Sequence, residues 1–139
     1  MTNNKAAGGS LPNVSPEELE KVDYSQSSGL INRLVKLSCS VAISSYQSGF
    51  LYHLGCDPKG GLHLHRAAMT KPMGLSYDGE GGLTLAGGSE IIQFKNVLAS
   101  GEHINNTFDA CFMPRRIRVT GGLDAHDIGI KGNGAPIFV

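Results

Sequence analysis

From Cys39 to the end of the chain, apolar residues come in short runs, and nearly every run is closed by a cluster of Gly, Pro, Asp, Asn or Ser. Such runs are too brief and too often broken to give a helix a packing face. A strand needs only a few residues, and turn clusters supply the backbone conformations that hairpins require. Glycine makes up 19 of the 139 residues, well above the usual share of roughly 7%, and lacks the every-third-residue period of collagen. The pattern predicts an antiparallel, all-β architecture with many tight turns.

Strands are expected over 41–45 and 50–54, joined by a turn at Tyr46-Gln47-Ser48-Gly49. A strong turn signal, Asp57-Pro58-Lys59-Gly60-Gly61, leads into a third strand through Leu62 and Leu64 to Ala67. Runs 73–77, 83–86 and 90–94 form a hairpin-linked meander, and residues 95 to about 108, without apolar period, read as a surface loop linking two meanders. The runs 111–113 and 117–120 flank Pro114, which fits an edge strand or a bend. Another hairpin is expected after Gly121-Gly122, with strands over 127–130 and 136–139 about the turn Lys131-Gly132-Asn133-Gly134. Upstream, residues 1–14 are polar and read as a disordered tail. Ser15-Pro16-Glu17-Glu18 has the N-cap, first-turn proline and acids of a helix start. Over 29–37, Leu30, Leu34 and Leu37 make one helical stripe. The expected organisation is tail 1–14, helical segment 15–38 and β domain 39–139.

Set over one another without gaps, 74–86 and 127–139 align Leu75 with Ile128, Tyr77 with Ile130, Gly79 with Gly132, Gly81 with Gly134 and Leu85 with Phe138. Such a recurrence is what blades of a β-propeller look like, the alternative being two ordinary hairpins in an unrelated sheet. The length holds about two blades, whereas a closed propeller needs at least about four. The propeller reading therefore makes the chain an N-terminal fragment with unpaired strand edges, through which copies can self-associate.

Ser45-Tyr46-Gln47-Ser48-Gly49, Lys71-Pro72-Met73-Gly74-Leu75, Phe94-Lys95-Asn96-Val97, Pro114-Arg115 and the stretch Thr120-Gly121 to Asp124-Ala125-His126-Asp127 occur in that order. In these motifs the chain, over about residues 28–139, resembles the N-terminal part of an uncharacterised bacterial family of β-propeller-like proteins, a domain of unknown function. The resemblance implies a partial β-propeller of about two antiparallel meander blades behind a short helical segment, and implies no settled activity.

Asp124, His126 and Asp127 are the candidate catalytic residues. On a strand Asp124 and His126 share a face, so a carboxylate and an imidazole could converge on a ligand, a water or a divalent metal, with Asp124 and His126 as metal ligands. The alternative is a hydrogen-bonded network that locks blades together. His63 and His65, at i and i+2, can chelate a metal or simply face solvent along one side of their strand; His53 and His103 show no partner in sequence. Arg115 and Arg116, near Arg118, suit a small anion or form an exposed face paired with acids. Tyr46 and Gln47 complete the candidate ligand-binding set.

Twelve basic and twelve acidic side chains balance, so bulk attraction to nucleic acid or to an anionic membrane is not expected. No apolar run is long enough for a membrane span or a signal peptide, which makes a cytoplasmic location the default. Cys39, Cys56 and Cys111 are read as small buried apolar residues. The leading expectation is a binding or scaffolding module for a protein or small ligand, with no cofactor. The alternative is a metal-dependent propeller hydrolase or lyase of the lactonase kind, with Asp124 and His126 at its axial site.

Overall fold

The computed structural model describes residues 24–139. The tail expected over 1–14 and the helix start at Ser15-Pro16 lie outside the described residues. The second helical stretch forms α1 (Leu30–Leu37) and ends at Ser38, whose left-handed backbone (φ 48°) turns the chain. The N–H groups of Ser38 and Cys39 then satisfy the carbonyls of Val35 and Leu34. Of the leucine stripe only Leu34 is fully buried; the helix packs on the strand of residues 50–56.

Nine strands follow: β1 (Val41–Ser45), β2 (Phe50–Cys56), β3 (Leu62–Ala68), β4 (Leu75–Tyr77), β5 (Gly82–Ala86), β6 (Glu90–Asn96), β7 (Phe112–Val119), β8 (Ile128–Ile130) and β9 (Pro136–Phe138). They form three open antiparallel sheets in simple sequential order: β1-β2-β3, β4-β5-β6-β7 and β8-β9. No sheet closes on itself among the described residues. Among the described residues the chain is thus mostly β with one short helix, as the run-and-turn pattern predicts.

Period-two alternation decides what each sheet faces. Leu83 and Leu85 on β5 and Ile92 and Phe94 on β6 form one buried cluster with Leu51 of β2. Ala86 and Ile91, their immediate neighbours in sequence, point the other way and meet Ala125 and Ile128. The four-stranded sheet therefore lies between the first sheet and the β8-β9 hairpin, apolar on both faces. Leu85, with no solvent exposure, contributes on the order of 1.5–3 kcal/mol by burial alone. The outermost faces keep apolar side chains in solvent: Ile43 is 46% exposed and Ile137, whose partner is Gly129, is 50% exposed.

Two expectations need correction. The loop after β6 does not link two meanders; it returns to the same sheet, because β7 pairs with β6. The Asn96 side chain closes the loop's neck, its Oδ1 accepting the N–H groups of Cys111 (2.8 Å) and Leu98 (3.2 Å). The hairpin expected after Gly121-Gly122 is formed by β8 and β9, reached by a crossover from β7. Pro114 does sit on an edge strand, next to a register shift that leaves Arg115 without a cross-strand partner. Of the thiols, all free, Cys39 is exposed while Cys56 and Cys111 are half-buried. Cys39 departs from its expected burial because it follows the helix cap rather than lying in a strand.

The aligned segments 74–86 and 127–139 are both hairpins with the same register: Leu75 pairs with Leu85 as Ile128 pairs with Phe138, and Tyr77 with Leu83 as Ile130 with Pro136. The turn of the β2-β3 hairpin belongs to the same type. In all three, the residue opening the turn donates its N–H to the carbonyl four residues on, Asp57 to Gly61, Asp78 to Gly82 and Lys131 to Ala135. The residue before the last has positive φ and is Gly60, Gly81 or Gly134. In the first two turns the aspartate folds under the loop, and Oδ1 accepts two N–H groups at 2.7–2.8 Å. A Cβ on Gly82 would lie 2.0 Å from Asp78 Oδ2. Where Lys131 replaces the aspartate that space is free, Ala135 is tolerated, and Asn133 Oδ1 caps the loop instead, at 3.1 Å.

The three sheets meet at Pro72-Met73-Gly74. Ser44 Oγ donates to the Met73 carbonyl from the first sheet, and Gly74 N–H donates to the Ala125 carbonyl at 3.2 Å. A Cβ on Gly74 would sit 2.9 Å from the Asp127 carbonyl carbon, backbone that cannot step aside.

Gly74→Ala is expected to destabilise the chain by about 1–3 kcal/mol, the usual cost of overpacking, measured by urea unfolding. The carboxyls of Asp57 and Asp78 are both held below their ordinary value of 3.8, Asp57 first by the Gly61 N–H; at Asp78 desolvation, which raises the value, is outweighed by the Glu80 and Gly82 N–H groups and Lys95. Their stabilisation is therefore present above about pH 4 and lost as pH falls through the lowered values, because the unfolded chain takes up the protons first. Asp78→Asn keeps the acceptor, so it is expected to stay folded with a flatter acid limb in thermal melts, whereas Asp78→Ala lowers the melting temperature at all pH values.

Candidate functional site

The four-residue separation of Asp57 and Gly61 fixes the register of the β2-β3 hairpin, pairing Cys56 with Leu62 and hence His53 with His65 and Gly55 with His63. Alternation then puts His53, His63 and His65 on the sheet face that carries Leu51 and looks toward β6. From the opposite side, the loop after β6 and the start of β7 bring Phe108 and Phe112 over these rings. The His53 ring stacks on Phe112 with centroids 5.6 Å apart and planes at 13°. The His63 ring meets Phe108 edge-on at 5.0 Å, and the centroids of His53 and His65 are 6.4 Å apart. Between these walls lies a cavity of about 370 Å³, lined also by Met69, Phe94 and Cys111.

Within that cavity His53 is the anomaly. Its Nε2 is the one buried side-chain nitrogen or oxygen among the described residues without a hydrogen-bond partner. Such groups normally find a partner, and leaving one unmade costs about 1–3 kcal/mol. Desolvation, followed by the neighbouring His65, holds the His53 imidazole below its ordinary value of 6.5, so the ring is neutral at neutral pH and offers one donor and one acceptor. An aromatic-walled cavity with a neutral imidazole in its wall can stack a flat molecule and hydrogen-bond its polar edge.

The residues singled out in sequence lie elsewhere. Asp124, His126 and Asp127 precede β8 instead of lying in it, with Asp124 in the left-handed region (φ 44°). Ala125 is buried, and Asp124, His126 and Asp127 are exposed. The backbone of His126 and Asp127 extends the last hairpin by bonding to Val139, and Asp127 Oδ1 accepts the N–H of Ile128 at 2.8 Å. Tyr46 and Gln47 are exposed in the β1-β2 turn, with the Lys71 ammonium 5.9 Å from the Tyr46 ring centroid. Arg115 and Arg116 border a separate shallow cleft between the four-stranded sheet and the last hairpin, beside Thr84 and Gln93. Arg118 donates to Gln93 Oε1 at 2.7 Å. These arginines are not paired with acids among the described residues, where the one ion pair is Lys95 with Asp78 at 3.8 Å.

Residues 28–139 match a family described as a domain of unknown function, DUF4915. The chain belongs to this family. The DUF4915 match takes in α1 and all nine strands, so the histidine cavity, the arginine cleft and the 124–127 segment all fall inside the DUF4915 domain. Searches of the curated proteins and of the solved structures return no match.

Sequence reasoning reached His63 and His65 and passed over His53. The missing signal was present in the turn: once Asp57-Pro58-Lys59-Gly60-Gly61 is read as a hairpin closing Cys56 on Leu62, counting back three residues on each side brings His53 opposite His65.

His53→Phe keeps the stack on Phe112 and removes the orphaned nitrogen, so thermal and urea unfolding are expected to show a more stable chain, by about 1 kcal/mol. Because a histidine kept neutral in the fold loses its stabilisation as pH drops below about 6.5 and the unfolded chain takes the proton, the variant is also expected to lose less stability between neutral and mildly acidic pH.

Proposed function

We propose that the chain is a binding module built as an open stack of propeller-type blades, which takes a small, flat, weakly polar ligand into the cavity between its first two sheets. The observation that carries this reading is the aromatic-walled cavity itself, with the His53 ring stacked on Phe112 and the His63 ring edge-on to Phe108. The volume falls within the usual range for small-molecule sites, roughly 300–1,000 Å³. The blade reading is supported by face-to-face stacking of successive antiparallel sheets and by the turn repeated in three hairpins, and a further sheet of the same kind would cover Ile43 or Ile137. Free thiols fit a reducing, cytoplasmic compartment. The hydrolase or lyase alternative would use Asp124 and His126 and needs ligands from other segments.

Indole- and naphthalene-type fragments titrated into the chain are expected to shift amide resonances of β2, β3 and residues 108–112 together. Phe112→Ala removes one stacking wall and is expected to weaken binding several-fold to about tenfold, the equivalent of about 0.5–1.5 kcal/mol. Fragment shifts confined to the cleft beside Arg115 and Arg116, or no shifts at all, would overturn the assignment.

A further inference from the structure

The second seam carries a site of different chemistry, independent of the histidine cavity. Cross-strand register lays Thr84 of β5 beside Gln93 of β6, and Gln93 beside Arg116 of β7. Alternation puts this polar row on the face of Ala86 and Ile91, which is turned toward the last hairpin. Strict alternation would send Arg115 to the opposite face. The register shift beside it prevents this: Pro114 pairs with Phe94 and Arg116 with Gln93, which makes Arg115 the extra residue of a bulge, a device that re-aims a side chain. Both arginines consequently line one cleft of about 370 Å³, together with Thr84 and Gln93 from the sheet and Ile130 and Gly134 from the hairpin.

We propose that this cleft binds the phosphate group of a small phosphorylated molecule, with Arg115 and Arg116 as its clamps and Thr84 as a donor from the floor. Asp78 is the one acid of the lining. Its Oδ1 is taken by two N–H groups of its own turn, and its charge is matched by the Lys95 ammonium at 3.8 Å. The two arginines are therefore left with charges that no acid matches among the described residues. Adjacent like charges repel, and a dianion between them removes the repulsion. Gln93 holds the cleft's width, because its Oε1 accepts from Arg118 at 2.7 Å while its Nε2 donates to the Gly134 carbonyl at 3.4 Å. Thr84, 4% exposed, is the one buried polar side chain among the described residues, on a sheet whose other buried side chains are apolar. Donors thus come from both rim and floor. A tetrahedral phosphate presents oxygens in several directions, whereas a planar carboxylate is satisfied by a single guanidinium fork. Phe94, the one aromatic residue of the lining, belongs to the core cluster on the other face, so the cleft offers no platform for stacking the bases of a nucleic acid strand.

The test is a titration of the 139-residue chain with glycerol phosphate and with inorganic phosphate at constant ionic strength, followed by amide resonances. Both are expected to give saturable shifts at Thr84, Gln93, Arg115 and Arg116 and none in the β2-β3 hairpin, with succinate binding several-fold more weakly. Arg115→Gln and Arg116→Gln are each expected to weaken binding by about tenfold, as loss of a hydrogen bond to a charged group does. Arg116→Lys keeps the charge without the fork and is expected to lose less; Arg33→Gln, on α1, is expected to change nothing. Without phosphate, the two glutamine variants are expected to melt no lower than the parent chain, since they relieve repulsion; arginines serving only the fold would instead lower the melting temperature. Any of four results would overturn the phosphate site: no saturable shift, shifts that survive the Arg115→Gln/Arg116→Gln double variant, succinate binding as tightly as glycerol phosphate, or an affinity for single-stranded RNA that grows with strand length. Binding of inorganic phosphate with exclusion of the ester would overturn the phosphorylated ligand. The histidine cavity is tested by the aromatic fragments alone, so failure of either site leaves the other standing.

Discussion

Burial on both faces of the four-stranded sheet is the condition on which everything else in this molecule depends. A solvated antiparallel sheet needs one apolar face, and its strands then alternate between apolar and polar residues. β5 and β6 instead place Leu83, Leu85, Ile92 and Phe94 toward one neighbour and Ala86 and Ile91 toward another. Such a sheet is stable only between two partners, so the first sheet and the last hairpin are held where they are. The seam on the first side contains the histidine cavity, and the seam on the second contains the arginine cleft. All three layers meet at Met73-Gly74, where the Ser44 hydroxyl reaches the Met73 carbonyl and the Gly74 backbone lies against Ala86, Ala125 and Asp127.

Much of this was legible in the sequence because hairpins are local. Turn residues announce themselves through φ requirements and side-chain acceptors, and strand runs between them need no distant information; the edge position of Pro114 follows from the N–H that proline lacks. The destination of the loop after β6 was not legible. Whether a strand following a long loop rejoins its own sheet or starts another depends on long-range pairing, here secured by Asn96 across the loop's neck. The same limit applied to the site. His63 and His65 are neighbours along the chain, while His53 joins them only through register, and Phe108 and Phe112 only through the loop's return.

The Asp124–Asp127 segment illustrates a different limit. Acidic and imidazole side chains close together in sequence suggest chemistry, yet the alternation that would aim them together applies only to a strand. Asp124 adopts a left-handed conformation and β8 begins at Ile128, so the segment serves as the entry to the last hairpin, with buried Ala125 as its anchor. Its polar side chains face outward because the backbone, through Gly74 and Val139, uses the inward positions.

The repeated hairpin turn imposes an order on how the sequence can drift. While Asp78 is in place, any side chain at position 82 collides with its carboxylate; once the acid is gone, the glycine is free to change, as Lys131 and Ala135 illustrate. Substitution at the two positions is therefore epistatic and directional, with loss of the aspartate as the permissive step and gain of a side chain as the step that locks it in. A turn that has passed through both changes can regain a carboxylate only in a rotamer turned away from the place Asp78 occupies, and so without the two N–H bonds it makes there.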